Sequence, residues 1–375
     1  MRQTRPVRPA LALLALTLAV SSSCAPTPPS ERHPYRRAPA GCPENPDFDV
    51  DAGGLYWLGS KGSECIEHGA PNPHFDPSRP TVVLFHGWKY GKTAEGDPLT
   101  LTDERFDATN PHLADAWLDA GWNVGIFRWT QHADELLPSD AETKIWDTEV
   151  APGMRWKRAG GGEERDGFKG TVGDRAMRAL LTALSRWRGD ELRIVGHSLG
   201  AQVATQVTSR LYTAADSGLL PSSVRPHRLA LLDPYWSPWE RADLTPYPLH
   251  THLEVALERM VDEGLVLEVH TASLLNAYTF APDHASRRLG AWLDYRPDYI
   301  THLTQHHRHD ALVWHYFSSY AHGPVQPCEG EEALPSAAAS DEAVRAWMGR
   351  SAGVRQVEGR DTPTPTDDCY ETHEP

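Results

Sequence analysis

Three residues whose types could act together on a carbonyl stand far apart in this chain: Ser198, Asp233 and His309. Ser198 has the most telling context. It lies in "RIVGHSLGAQVA" (193–204), between Gly196 and Gly200. Leu192, Ile194 and Val195 read as the end of a strand. Ala201, Val203, Ala204, Val207 and Leu211 read as the apolar face of a helix. A sharp strand-to-helix turn would lift the serine Oγ above a sheet edge, and it leaves no room for side chains two residues to either side. Glycines at 196 and 200 meet that need. A serine hydroxyl is a weak nucleophile until a base takes its proton and an acid orients that base. The chemistry expected is therefore acyl transfer. The alternative is a glycine-flanked structural turn with an idle serine.

Asp233 ends the apolar run "RLALLD", 35 residues beyond Ser198, and is followed by Pro234. A carboxylate at the tip of the next strand would share the serine's sheet edge. Glu240, Asp243 and Asp283 are weaker competitors, since no strand delivers them there. The base is sought in "THLTQHHRHDALVWHY" (301–316). His309 directly precedes what reads as a helix start, so it is expected in a loop, free to swing toward the serine; His307 is the second choice. His302 and His306 are four apart and could ligate zinc on a helix, but no carboxylate has the spacing of a metal-dependent hydrolase. No metal or cofactor is expected. Backbone N–H groups of Trp88, in "LFHGWKYG" (84–91), and of Leu199 are the expected oxyanion donors.

These residues need a scaffold. "TVVLFH" (81–86), "NVGIF" (123–127), "LRIVG" (192–196), "RLALLD" (228–233) and "LVLEV" (265–269) are short apolar runs. Helix-like segments at 112–120 and 171–187 alternate with them, the second with apolar residues at helical spacing. Strand, helix, strand in this order predicts an α/β fold with a mainly parallel sheet covered on both faces. The catalytic domain is expected over 51–325, with 24–50 a Pro-rich lead-in and 326–375 a partly disordered tail holding one short helix near 341–349. Residues 278–305 could form a lid.

The chain has 375 residues and a formal charge of −15, which argues against a nucleic-acid partner. Arg2, Arg5 and Arg8 precede "ALALLALTLAV" (10–20), about half the length that spans a bilayer, and then "SSSC". This pattern predicts an export signal over 1–23. That segment carries three arginines and no acid, so its loss takes the charge from −15 to −18. Cys24 resembles a lipoprotein attachment site and could anchor the chain to a membrane. Cys42, Cys65, Cys328 and Cys369 remain, and pairing as Cys42–Cys65 and Cys328–Cys369 is expected in an oxidising compartment.

The quoted segments resemble the pancreatic-type lipase family. "TVVLFHGW" is similar to its oxyanion strand and loop, "RIVGHSLGAQVA" to its nucleophile elbow, and "LLDP" to its acid-bearing strand end. "LVLEVHT" (265–271) and "WLDYRPD" (292–298) resemble later segments, and His309, seven residues before Tyr316, has the family's histidine spacing. The resemblance covers about residues 80–320. It implies the α/β-hydrolase fold, with Ser198 as nucleophile, Asp233 as acid, His309 as base, and Trp88 and Leu199 as oxyanion donors. It also implies hydrolysis of lipid-like esters. Only about 50 residues follow the last helix of that region, too few for the β-sandwich domain of animal members, and no cysteine lies between Cys65 and Cys328 to close their lid. Lipase, phospholipase A1, short-chain esterase and amidase or thioesterase activities all fit the chemistry. An exported carrier that has lost activity and a metal-dependent hydrolase are rivals from other classes.

Overall fold

The computed structural model describes residues 53–374 except 63, 67–71, 96–100, 102–111, 159–161, 165–168, 238–248, 275–284 and 302. The proposed export signal, the lead-in and Cys42 lie outside the described residues, as do Glu240, Asp243, Asp283 and His302. Among the described residues, no helix is long and apolar enough to cross a membrane.

Each apolar run identified in the sequence becomes a buried strand. The sheet comprises β1 (Gly54–Leu58), β2 (Glu64–Ile66), β3 (Thr81–Phe85), β4 (Asn123–Arg128), β5 (Leu192–His197), β6 (Arg228–Leu232), β7 (Val266–Thr271), β8 (Ala291–Asp294), β9 (Gln326–Pro327), β10 (Gly353–Glu358) and β11 (Cys369–His373). Their spatial order is β9-β11-β10-β8-β7-β6-β5-β3-β4-β1-β2. The strands from β4 through β3, β5, β6, β7 and β8 to β10 all run parallel. β1 pairs antiparallel with β4, and β11 antiparallel with β10.

Two apolar layers explain why the central strands read as continuous hydrophobic runs. Side chains alternate along a strand, so Val83, Phe85, Ile194, Leu229, Leu231 and Leu267 join one core, while Val82, Leu84, Val195, Ala230, Leu232 and Val266 join the other. The first core is covered by α2 (Pro138–Trp146), α3 (Val172–Leu184), α4 (Gly200–Asp216) and α5 (Leu249–Asp262). The second is covered by α1 (Asp115–Asp119), α6 (Gln305–His322) and α7 (Asp341–Trp347). α3 begins where its sequence dictates: Thr171 and Asp174 form a reciprocal capping box. A mainly parallel sheet flanked by helices, with a nucleophile-type turn between β5 and α4, is the expected α/β-hydrolase fold.

Two expectations are corrected. Residues 326–374 are not a loose tail. They supply three strands and α7, and the Cys328–Cys369 disulfide joins the region across 41 residues. Part of the proposed lid is also scaffold: 278–284 and 302 lie outside the described residues, but all four residues of β8 are buried in the sheet.

A buried ion network fastens the C-terminal region. Arg228, fully buried on β6, donates to Asp341 Oδ1 at 2.8 and 2.5 Å, to Ser336 O at 3.1 Å and to Ala339 O at 2.8 Å. Its Nη1 lies 3.5 Å from the buried Glu268 Oε1, which also accepts from the Tyr316 hydroxyl at 2.9 Å. Burial alone would raise the Glu268 pKa, but Arg228, His270 and Tyr316 outweigh it and bring it from an ordinary 4.5 down to about 2. A depressed carboxylate stabilises the fold above its unfolded value, and that contribution is lost as the pH falls from 4.5 toward 2. Arg228→Met would strand the Glu268 charge and is expected to lower stability by about 3–5 kcal/mol. Urea unfolding at neutral pH measures this, and adding Glu268→Gln should recover much of the loss.

Candidate active site

The turn at Ser198 is strained as the sequence requires. Ser198 has φ 56°, a left-handed conformation that ordinary residues avoid, and its amide donates to Leu232 O at 2.9 Å. Tyr235 N returns a bond to Ser198 O at 3.0 Å, so the turn is pinned to the end of β6. The elbow glycines are forced by contact. A Cβ on Gly196 would lie 2.6 Å from the Ala201 Cα, and one on Gly200 would lie 2.1 Å from Phe85 O.

Asp233 follows β6 directly, also with a positive φ of 42°. Its backbone amide donates to His270 O at 2.8 Å. Its buried carboxylate accepts from the amides of Ala272, at 2.9 Å, and Ser273, at 3.1 Å. The tip of β7 therefore aims this side chain. Its Oδ2 lies 2.9 Å from His309 Nδ1. A carboxylate can only accept, so Nδ1 carries the proton and Nε2 keeps the lone pair that a base needs. The His309 ring lies 4.3 Å, centroid to centroid, from that of His197, the residue before Ser198. His309 thus contacts both Asp233 and the residue that precedes the serine. Among the described residues Ser198 Oγ makes no hydrogen bond, so the serine–histidine contact is open, as such contacts often are before substrate binds.

His309 does not sit in a loop, as expected from the sequence. It lies in α6, which begins at Gln305, because Thr304 O already accepts the amides of His307 and Arg308. The imidazole is carried on a helix rather than a loop. The ring of His307 packs against that of His306, 4.0 Å between centroids. Among the described residues no group of three or more His, Cys, Asp or Glu could hold a metal ion.

The expected oxyanion donors flank the serine. Leu199, itself in helical conformation, immediately precedes α4, and among the described residues neither its amide nor that of Trp88 donates to another group. The helix N-terminus favours negative charge at this point. Gly87 brings the other donor close, because a Cβ there would fall 2.5 Å from the Ser198 Cβ and 2.9 Å from its Oγ.

Sequence reasoning missed what aims that loop. The buried His86 accepts from Trp129 N at Nε2, 3.0 Å, so its Nδ1 donates to Gly87 O at 2.8 Å. In a trans peptide the Trp88 N–H points opposite to that carbonyl. Burial holds the His86 pKa well below its usual range, so the ring stays neutral and keeps both bonds. Further along, Lys89 N donates to Ala133 O at 3.1 Å and Trp88 Nε1 to Glu135 O at 2.6 Å. Asp134 takes Gly91 N at 2.7 Å, Thr93 N at 3.0 Å and the Lys157 ammonium at 2.9 Å. Burial opposes charge on Asp134, but these donors outweigh it and hold the carboxyl below its usual range. The sole sequence signal was a His-Gly pair after a strand.

Gly87→Ala tests the fit of this loop. Its methyl group must displace the turn or the loop, and a misplacement near 1 Å costs about 100-fold. A loss of about that size in kcat/KM with little change in thermal stability is the expected result.

No family model matches the chain, and no curated protein matches it. Among solved structures, the chain is similar to a probable hydrolytic enzyme from Pseudomonas aeruginosa, at 12% identity and TM-score 0.22, over 72% of this chain and 66% of that one. The match thus spans just under two thirds of that enzyme. A thioesterase domain from the curacin biosynthetic pathway is similar at 14% identity and TM-score 0.24, over 80% of this chain and 76% of that domain. The functional reading therefore stands on the residues themselves.

Proposed function

We propose that this protein is an exported serine hydrolase of lipid-like carboxylic esters, working through an acyl-enzyme. One observation carries the reading: a carboxylate held by two main-chain amides bonds the Nδ1 of an imidazole, beside a serine in left-handed conformation at a strand-to-helix turn. In the mechanism Ser198 Oγ attacks the ester carbonyl while His309 Nε2 takes its proton. The oxyanion gathers the Trp88 and Leu199 amides. His309⁺ returns the proton to the departing alcohol, and water then repeats the cycle to free the acid.

Exposed apolar side chains support a lipid-like substrate. Seven large hydrophobic residues are exposed among the described ones, and five adjoin in sequence the segments that build this site. Tyr90, Leu136 and Leu137 belong to the loops joined through Trp88. Leu274 follows the amides that hold Asp233, and Leu303 precedes α6. Such a surface suits an acyl chain better than a charged acyl donor. Export through residues 1–23, with or without lipid attachment at Cys24, would bring the enzyme to such substrates.

The test is fluorophosphonate labelling with peptide mapping, followed by turnover of nitrophenyl esters from acetate to palmitate. Labelling at Ser198 and hydrolysis rising toward longer chains are expected. Label on another residue, or none, overturns the reading.

A further inference from the structure

The base needs more than Asp233 to hold it, because α6 starts weakly. Thr304, its N-cap, makes no side-chain capping bond, and His309 lies one turn inside that end. One tie from outside the helix is Gln305, whose Oε1 accepts Leu274 N at 2.7 Å. Another comes from the residue next to the nucleophile. The buried His197 contacts the His309 carbonyl through Nε2 at 3.0 Å and lays its ring on the His309 imidazole.

We propose that His197 is a positioning residue that locks the base to the nucleophile turn, its Nε2–H donating to the main chain of His309 while its ring backs the imidazole. The inference rests on the serine-hydrolase reading above. A carbonyl only accepts, which fixes the proton on His197 Nε2. Burial first, and then the proximity of His309, hold the His197 pKa well below its usual range, so the ring is neutral beside an imidazole that must become cationic during the reaction. The arrangement makes one rigid unit of two segments 112 residues apart. When Ser198 moves with its strand, the carbonyl carrying the base moves with it. A histidine that merely filled core space would need neither the donor nor its direction.

The test uses the full chain and three variants. His197→Phe keeps a buried ring and removes the donor. His197→Asn keeps polarity but is too short to reach the carbonyl. His197→Gln carries an N–H close to the place of imidazole Nε2. Each is measured for the rate of fluorophosphonate labelling, for kcat and KM on a nitrophenyl ester, and for melting temperature. His197→Phe and His197→Asn should lose about 10- to 100-fold in labelling rate and kcat, the scale of a small misplacement of reacting groups, with KM unchanged. His197→Gln should regain most of that loss. If either donor-less variant is folded and labels like the parent, or if His197→Gln does no better than they do, the proposal is wrong. A parent protein that takes no label at Ser198 instead defeats the hydrolase reading, and the proposal with it.

Discussion

Ser198→Ala is expected to lower kcat for ester hydrolysis by about 10⁶-fold while leaving the fold intact. The reasoning is geometric. The methyl group cannot form the acyl bond, and His309 has no proton to accept. A residual rate of about 10³–10⁴ over water should persist, because the Trp88 and Leu199 amides and the binding surface remain. KM should change little, since Oγ contributes to the transition state rather than to ground-state binding. Steady-state kinetics at high enzyme concentration read both numbers. A fall of only tenfold would mean that another group performs the attack.

Asp233→Asn should cost about 10⁴-fold in kcat. This carboxylate does two jobs at once. Its oxygens accept the amides of Ala272 and Ser273, and Oδ2 also accepts the hydrogen bond of His309 Nδ1–H. An asparagine has one acceptor oxygen and a donor amide. Satisfying the two backbone amides turns donors against donors, and the NH₂ that faces His309 favours the tautomer with its lone pair on Nδ1. The proton then sits on Nε2, where the base must be free. Because Asp233 is fully buried, the same change also leaves a mismatched polar group in the interior, which costs about 1–3 kcal/mol of stability. Comparing kcat with the unfolding free energy separates the two effects. Activity close to the parent would show that His309 does not depend on this carboxylate.

The central scaffold was legible because its physics is local. Strands β3 to β7 are buried on both faces, so their residues form largely apolar runs that stand out in the sequence. The serine turn was legible for a different reason, since steric crowding demands Gly196 and Gly200 where they occur. The C-terminal strands were not legible. Polar and charged residues dominate "GVRQVE" and "CYETH", because these strands lie toward the sheet edge and half their side chains meet water. What orders them is non-local: the disulfide, and a buried arginine contributed more than a hundred residues earlier. The placement of His309 failed because "QHHRHD" has no apolar periodicity; α6 buries apolar side chains only further on, from Ala311 to Phe317. His86 and His197 escaped notice as well, for their roles lie in hydrogen bonds to main-chain carbonyls that no spacing rule encodes.

The guanidinium of Arg228 has a bearing on the order in which this protein matures. It sits on the strand that leads into Asp233, yet its acceptors at 336, 339 and 341 lie more than a hundred residues further along the chain. A nascent polypeptide stopped before them already contains the serine, the aspartate and the histidine. It would still carry a cation in its middle with those acceptors missing, so the strand leading to Asp233 lacks part of its interior until translation has passed residue 341. A chain clipped short of that point would hold the three residues without the frame that sets one of them.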